Sequence, residues 1–363
     1  MSKVFFASSK MKALRADASL PAKFSRMLDQ YPLKGMFEGK TVAIKVHLGN
    51  NLGYTTIPPI FIKMLVTKIK EAGGKPFVTD GGSAVPNAKD RGYTSEILGA
   101  PVVSAQGATG KFYVKVPINY QSLKDVELCG EVVTADAMIV FSHGKGHGIC
   151  GWGGAIKNIA MGNVSYKSRG AIHALMSNEF QWDESLCSHC NLCADNCPVN
   201  AISFNDEGRL KIFDHHCRFC MHCVTACPQN AITIHKEGER IFQTGMAKVT
   251  KACLDSFEPN TLLFINHICN ITPFCDCWGF TSPSIVPDVG IMASTDIVAV
   301  EQASIDSIKL ENYIEGSLPH PLIVQDIEGH LLKKIHSKDP YLQCEEAEKL
   351  GLGETKYELA EID

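Results

Sequence analysis

The amino-acid sequence predicts an α/β fold: a mixed or parallel sheet domain interrupted by an inserted, cysteine-rich α+β module. Three observations predict it. Strand-like apolar runs alternate with amphipathic stretches on both sides of a central segment, glycine-rich polar loops follow those runs, and eight of the 15 cysteines crowd into residues 187–227. The implied boundaries are 1–180 for the first part of the α/β domain, 181–237 for the insertion and 238–363 for the second part. Neither flank carries a complete fold alone, so one divided domain is the simplest reading, with two independent flanking domains as the alternative.

The elements follow in order. Thr41 to His47 is an apolar run of strand length, Pro58 to Ala72 is amphipathic and closed by Gly73 and Gly74, and Pro76 to Asp80 is the next strand, entering Gly81 and Gly82. Together they make one βαβ unit. Ala137 to Ser142 is a further strand, followed by a glycine-rich loop from His143 to Asn158. Beyond the cysteines, Thr261 to Asn266 is a strand and Thr295 to Leu310 is helical, with Ser294, Thr295 and Asp296 able to cap its start. In open α/β sheets ligands gather at the carboxyl ends of strands. The polar tips are His47, Gly49 and Asn51, then Asp80, Gly81 and Gly82, then His143 to Asn158, then Asn266 to Cys277, and all can converge on one pocket. Gly81 and Gly82 do not make G-x-G-x-x-G, and the stretch from Gly148 to Gly154 is not a Walker A loop, so neither dinucleotide nor ATP binding follows.

Composition narrows the function. The 363 residues are 45% hydrophobic and 20% charged, enough for a large core and too apolar for wholesale disorder. The formal charge of -4, with no basic run, argues against nucleic acid and anionic lipid as partners. No stretch reaches the ~18 uncharged apolar residues of a membrane span. The first twenty residues lack a signal peptide's apolar segment, so a cytoplasmic location is expected. In that reducing compartment cysteines read as metal ligands or reactive thiols before disulfides.

Eight cysteines form two runs spaced C-x2-C-x2-C-x3-C-P, one with Cys187, Cys190, Cys193 and Cys197 and one with Cys217, Cys220, Cys223 and Cys227, offset by thirty residues. Two-residue gaps let three thiolates converge from one tight loop on three corners of an iron–sulfur cube, and the fourth corner must come from elsewhere. In the bacterial two-cluster arrangement the fourth cysteine of each run ligates the other cluster. Cluster I then takes Cys187, Cys190, Cys193 and Cys227, and cluster II takes Cys217, Cys220, Cys223 and Cys197. Zinc fits less well, because it takes four ligands in one tetrahedral set and leaves the third cysteine and the Cys-Pro unexplained. His189, His215, His216 and His222 have no coordination site left to fill. Both runs, with the Pro-x-Asn-Ala-Ile segments after them, resemble the bacterial two-[4Fe-4S] ferredoxin family over about residues 181–236. That resemblance implies low-potential one-electron transfer.

A second constellation holds Cys269, Cys275 and Cys277 in one irregular loop, with Cys150, His147 and His267 at other strand tips able to join them around an additional metal or cluster. Small buried thiols are the alternative reading of each, and core packing is the expectation for Cys129, Cys253 and Cys344.

The flanks also carry a resemblance. Lys45 to Gly49, Thr55 to Pro59, Thr79 to Gly82, Gly153 to Gly162, Thr272 to Cys277, Val286 to Gly290 and Ser294 to Gln302 together resemble the domain-of-unknown-function 362 family, in its branch of iron–sulfur centre proteins. The family's usual Asp-Pro-Val-Ala-x-Asp stands here as Asp296-Ile-Val-Ala-Val-Glu301. The resemblance implies that Lys45, Asp80, Lys157, Asn158, Asp276, Asp288 and Asp296 share one feature, the strand-tip pocket. A fainter likeness to the nickel-pincer lactate racemases lies in the Thr-x-x-Pro stretch and the histidine-rich loop leading to Lys157.

The function expected is an iron–sulfur electron-transfer protein with two [4Fe-4S] clusters, serving a partner enzyme or a site on its own α/β domain. The alternative is a reductase with a substrate or metal site near Lys157 and Cys275. In it Lys45, Asp80, Gly81, His147, Lys157 and Asn158 bind a small-molecule ligand, and Lys157, His147, Asp80 and Asp276 are the catalytic candidates. With about two negative charges per loaded cluster, the chain becomes distinctly acidic, so a redox partner should present a basic docking patch.

Overall fold

In the computed structural model, which describes residues 1–82, 84–177, 180–213, 216–217, 221–234, 237–320 and 322–363, strands from both flanks join a single eight-stranded sheet. Its strands are β1 (Ser2–Ser8), β2 (Thr41–Val46), β3 (Lys75–Asp80), β4 (Val102–Ser104), β5 (Ala137–His143), β6 (Leu262–Ile268), β7 (Gly290–Ser294) and β8 (Tyr357–Glu361), in spatial order β8-β1-β7-β6-β5-β2-β3-β4. The run from β6 to β4 is parallel throughout. β7 is antiparallel to both its neighbours, while β1 and β8 pair in parallel.

Alternate residues of the central strands are apolar on both faces, which demands a helical layer on each side. On one face Val42, Ile44, Ile139, Phe141, Leu263 and Ile265 pack against α1 (Leu20–Leu28) and α2 (Pro59–Glu71). On the other, Ala43, Met138, Val140 and Phe264 pack with α3 (Ala155–Gly162), α4 (Tyr166–Ser177), α5 (Gly238–Leu254) and α6 (Ile297–Asp306). α3 has only eight residues and would not hold as an isolated helix. Ile156 and Ile159, both fully buried, anchor it, each worth about 1.5–3 kcal/mol of burial.

One detail departs from the sequence reading and a second narrows it. The stretch 143–158 is not simply a loop: Lys145–His147 and Gly151–Gly153 pair as a short hairpin before α3 begins. Of the three candidate caps, Asp296 takes the role, its carboxylate accepting from Ala299 N at 2.9 Å.

The cysteine-rich segment is built from two-stranded pieces. Phe180–Trp182 pairs antiparallel with Ile232–Ile234, and Ile202–Phe204 with Leu210–Ile212. They close a small core of Ile202, Ile232 and Ile234 with Cys193 and Cys223. Among the described residues no helix is long and apolar enough to cross a membrane.

Candidate functional site

The chain leaves β2 to build β3 and β4 on one side and returns to place β5 and β6 on the other, so the topology switches between β2 and β5. Open α/β sheets present a crevice at such a switch, beyond the carboxyl ends of the strands. A cavity of about 310 Å³ lies there, lined among others by His47, Asp80 and Gly81 from the tips of β2 and β3, and by His143, Lys145 and His147 after β5. Lys157, Asn158, Arg169 and His173 reach it from α3 and α4, and Cys277 from the loop after β6.

Its floor is a buried ion pair. Lys45 Nζ donates to Asp80 Oδ1 at 2.8 Å and to Asn158 Oδ1 at 2.7 Å, while Asp80 Oδ2 accepts from Leu48 N at 2.9 Å and faces His47 Nδ1 at 3.2 Å. Burial pushes the Asp80 carboxyl up, but Lys45 and His47 outweigh it and hold it well below its ordinary range. Asp276 is the counterpart, buried behind the lining residues Lys145 and His143: Lys145 Nζ lies 2.9 Å and His143 Nδ1 2.9 Å from its Oδ2. Burial raises this carboxyl too, and His143 and Lys145 again prevail, leaving it far below the usual value. His143 Nε2 faces the Cys269 carbonyl at 2.9 Å, so both ring nitrogens meet oxygen atoms and the ring is fixed in place.

Each carboxylate is therefore matched by an ammonium, and two further cations remain. Among the described residues Lys157 makes no ion pair; burial first, then the charge of Lys145, pulls it down to about 8. Arg169 donates through Nε to the Met161 carbonyl and stacks over Tyr166, with no carboxylate against it among the described residues. Burial and these same two cations push His173 down to about 4, so it stays neutral. The cavity carries excess positive charge, which suits a small anion.

At its rim the C-x-C backbone brings both sulfurs to one side. Where the sequence reading put ligands or reactive thiols before disulfides, Cys275 and Cys277 are bonded to each other, their Cα atoms 5.4 Å apart. A nitrogen of His147 and these two sulfurs all lie within 4.8 Å of one another. Cys150 touches the far side of His147, its Sγ 3.3 Å from Nδ1, and donates to the Trp152 carbonyl. Cys269 is placed elsewhere: its thiol points at the Gly290 carbonyl, away from this group. His267 packs on Phe61, and burial lowers it to about 3.

The cysteine-rich segment encloses two small cavities. One is lined by Cys187, Cys190, Cys193 and Cys227, the other by Cys197, Cys217 and Cys223. The fourth cysteine of each run thus faces the cavity of the other run. Cys220 and His215 lie outside the described residues. Ala201 N donates to Cys197 Sγ and Ala231 N to Cys227 Sγ, at 3.1 and 3.3 Å, thirty residues apart in sequence and equivalent in the repeat. Asn191 and Met221, likewise thirty apart, both adopt left-handed backbone at the turn between the second and third cysteines.

A family model described as "Domain of unknown function (DUF362)" matches residues 42–306, from β2 to the end of α6. The chain belongs to the DUF362 family. A comparison with curated proteins finds no match. Among solved structures, the lactate racemase apoprotein from Thermoanaerobacterium thermosaccharolyticum aligns at a TM-score of 0.37 and 14% identity, over 74% of this chain and 51% of that one. A protein from Thermotoga maritima aligns at 0.38 and 10%, over 70% and 52%. The DUF362 chain spans about half the length of each.

Of the residues named from sequence, the structure gathers Asp80, Gly81, His147, Lys157, Asn158 and Cys277 at the cavity, with Lys45 and Asp276 buried behind it. Asp288 and Asp296 are not there. Asp288 accepts from Asn270 N, fixing the loop after β6, and Asp296 caps α6 while accepting from Ser2 and Glu354. Arg169 and His173 escaped the sequence reading; their i,i+4 spacing on α4 was the available signal.

Proposed function

We propose that this DUF362 protein is an iron–sulfur electron-transfer protein holding two [4Fe-4S] clusters in residues 181–237. The observation that carries the reading is the crossed lining of the two cavities, with Cys227 among the thiols of the first run and Cys197 among those of the second. The donor set fits the group: all-sulfur corners around enclosed space, with the amides of Ala201 and Ala231 donating to sulfur, as thiolate ligands require. Such clusters, when bound, supply reversible one-electron storage at low potential. The chain's own part is to exclude water, through Ile202, Ile232 and Ile234, and to direct backbone N–H groups at the sulfurs.

The second reading, a reductase, is favoured by the cationic cavity on the α/β domain. Lys157 and Arg169 would hold a small carboxylate or phosphate there, with the Lys145–Asp276–His143 and Lys45–Asp80–Asn158 groups keeping the walls rigid. The electrons would then serve a ligand of the same chain rather than a separate enzyme. EPR of the anaerobic protein after dithionite tests the common premise. Two interacting S = 1/2 signals are expected; a silent, colourless protein would contradict it.

A further inference from the structure

The cysteine-rich segment and the cavity are joined by aromatic contacts. Trp278, next in chain to Cys277, stacks on His216 with ring centroids 5.7 Å apart and planes 12° apart, and meets Phe213 edge-on at 5.5 Å. His216 is next in chain to Cys217, which lines the second cysteine cavity. On the other side of Trp278, Cys277 lines the cationic cavity and is bonded to Cys275, with His147 beside both sulfurs. The order in space is therefore a cysteine of the second run, an imidazole, an indole, a disulfide and the ligand cavity. Phe274 and Phe280 pack against the same indole at 5.8 and 5.6 Å and hold it in place.

We infer that the Cys275–Cys277 bridge is a redox-active disulfide that takes electrons from the cysteine-rich segment through His216 and Trp278 and presents them, as a dithiol, to the cationic cavity. The inference rests on the reading of that segment as an electron carrier. A low-potential one-electron donor supplies two electrons in succession. The S–S bond breaks, the two sulfurs take up the electron pair, and two protons from water at the exposed Cys277 complete two S–H groups. The reverse step returns two electrons and two protons to an oxidised small anion held by Lys157 and Arg169. A two-electron group between one-electron carriers and a ligand would allow pairwise delivery. A cysteine pair of structural purpose has no need to face a ligand cavity or to adjoin a stacked aromatic bridge.

The test counts thiols as well as iron. Anaerobically purified protein is photoreduced with a deazaflavin, quenched with iodoacetamide at intervals and digested, and the peptide carrying Cys275 and Cys277 is weighed. Before reduction the peptide should be unalkylated and two mass units below the dithiol. After reduction both cysteines should be alkylated, and Trp278→Leu should slow this severalfold while iron content and EPR signals stay as in the parent and Trp278→Phe restores most of the rate. The inference is overturned if the bridge stays closed in protein whose EPR shows full reduction, or if it opens equally fast in Trp278→Leu. It is also overturned if both cysteines are reduced from the start and hold stoichiometric zinc or nickel with His147. Iron-free protein would sink the proposed function and this inference together, whereas iron-loaded protein with a closed bridge would sink the inference alone.

Discussion

Lys157 and Lys45 stand at the same end of the sheet and do different work. Lys45 is spent on Asp80 and Asn158, so Lys45→Met would leave a buried carboxylate without its counter-charge. Breaking one side of such a pair costs about 3–5 kcal/mol, readable as a lower urea midpoint. Asp80 adds a pH signature: its folded value lies below the ordinary 3.8, so its contribution is present above that pH and is lost as pH falls below it. Glu301 runs the other way. It is fully buried, accepts from Trp152 Nε1 and Asn266 Nδ2, and burial lifts it to about 7. Its contribution is complete below the ordinary 4.5 and is lost as pH rises through about 7, so Glu301→Gln should flatten the decline in melting temperature over that window. Lys157, by contrast, is free to meet a ligand. The melting-temperature rise given by millimolar inorganic phosphate should shrink as pH passes about 8 and vanish in Lys157→Met; an unchanged rise would place the anion elsewhere.

The elements explain why part of the site was legible and part was not. Continuous apolar runs such as 41–46 and 137–142 announce buried parallel strands, and once strands are placed, His47, Asp80 and the residues from His143 follow as tips, whereas Lys45, inside its strand, was named only through the family resemblance. The hairpin Lys145–His147/Gly151–Gly153 left no such trace, because its strands are short and half glycine. Gly146 is needed for close approach: a Cβ there would sit 2.4 Å from the Pro273 carbonyl oxygen. Gly146→Ala should therefore push the 272–278 loop outward, cost about 1–3 kcal/mol, and make the Cys275–Cys277 peptide more accessible to proteolysis. Arg169 and His173 were invisible for another reason. α4 follows the strand tips in sequence without sharing a motif with them, and only the fold brings its polar face to the cavity. Asp288 and Asp296 show the converse, since a family pattern includes residues that brace loops and caps as readily as those that touch a ligand.

On the scale of the whole molecule, the 15 cysteines sort by environment: eight in the two runs, two in the bridge beside His147, and Cys129, Cys150, Cys253, Cys269 and Cys344 buried in the α/β body. Burial pushes the thiols of Cys129, Cys150, Cys253 and Cys269 up to about 12, which keeps them protonated and unreactive. The crossed cavity linings make a specific claim about the runs. If the runs hold clusters as proposed, Cys227→Ser should disturb the one facing Cys187, Cys190 and Cys193 rather than the one facing its own run. The central claim is that the runs hold two iron–sulfur clusters, and metal and acid-labile sulfide analysis of anaerobically purified protein tests it most directly. The account predicts about eight irons and eight sulfides per chain; fewer than about four irons, with one zinc for each cysteine run, would contradict it.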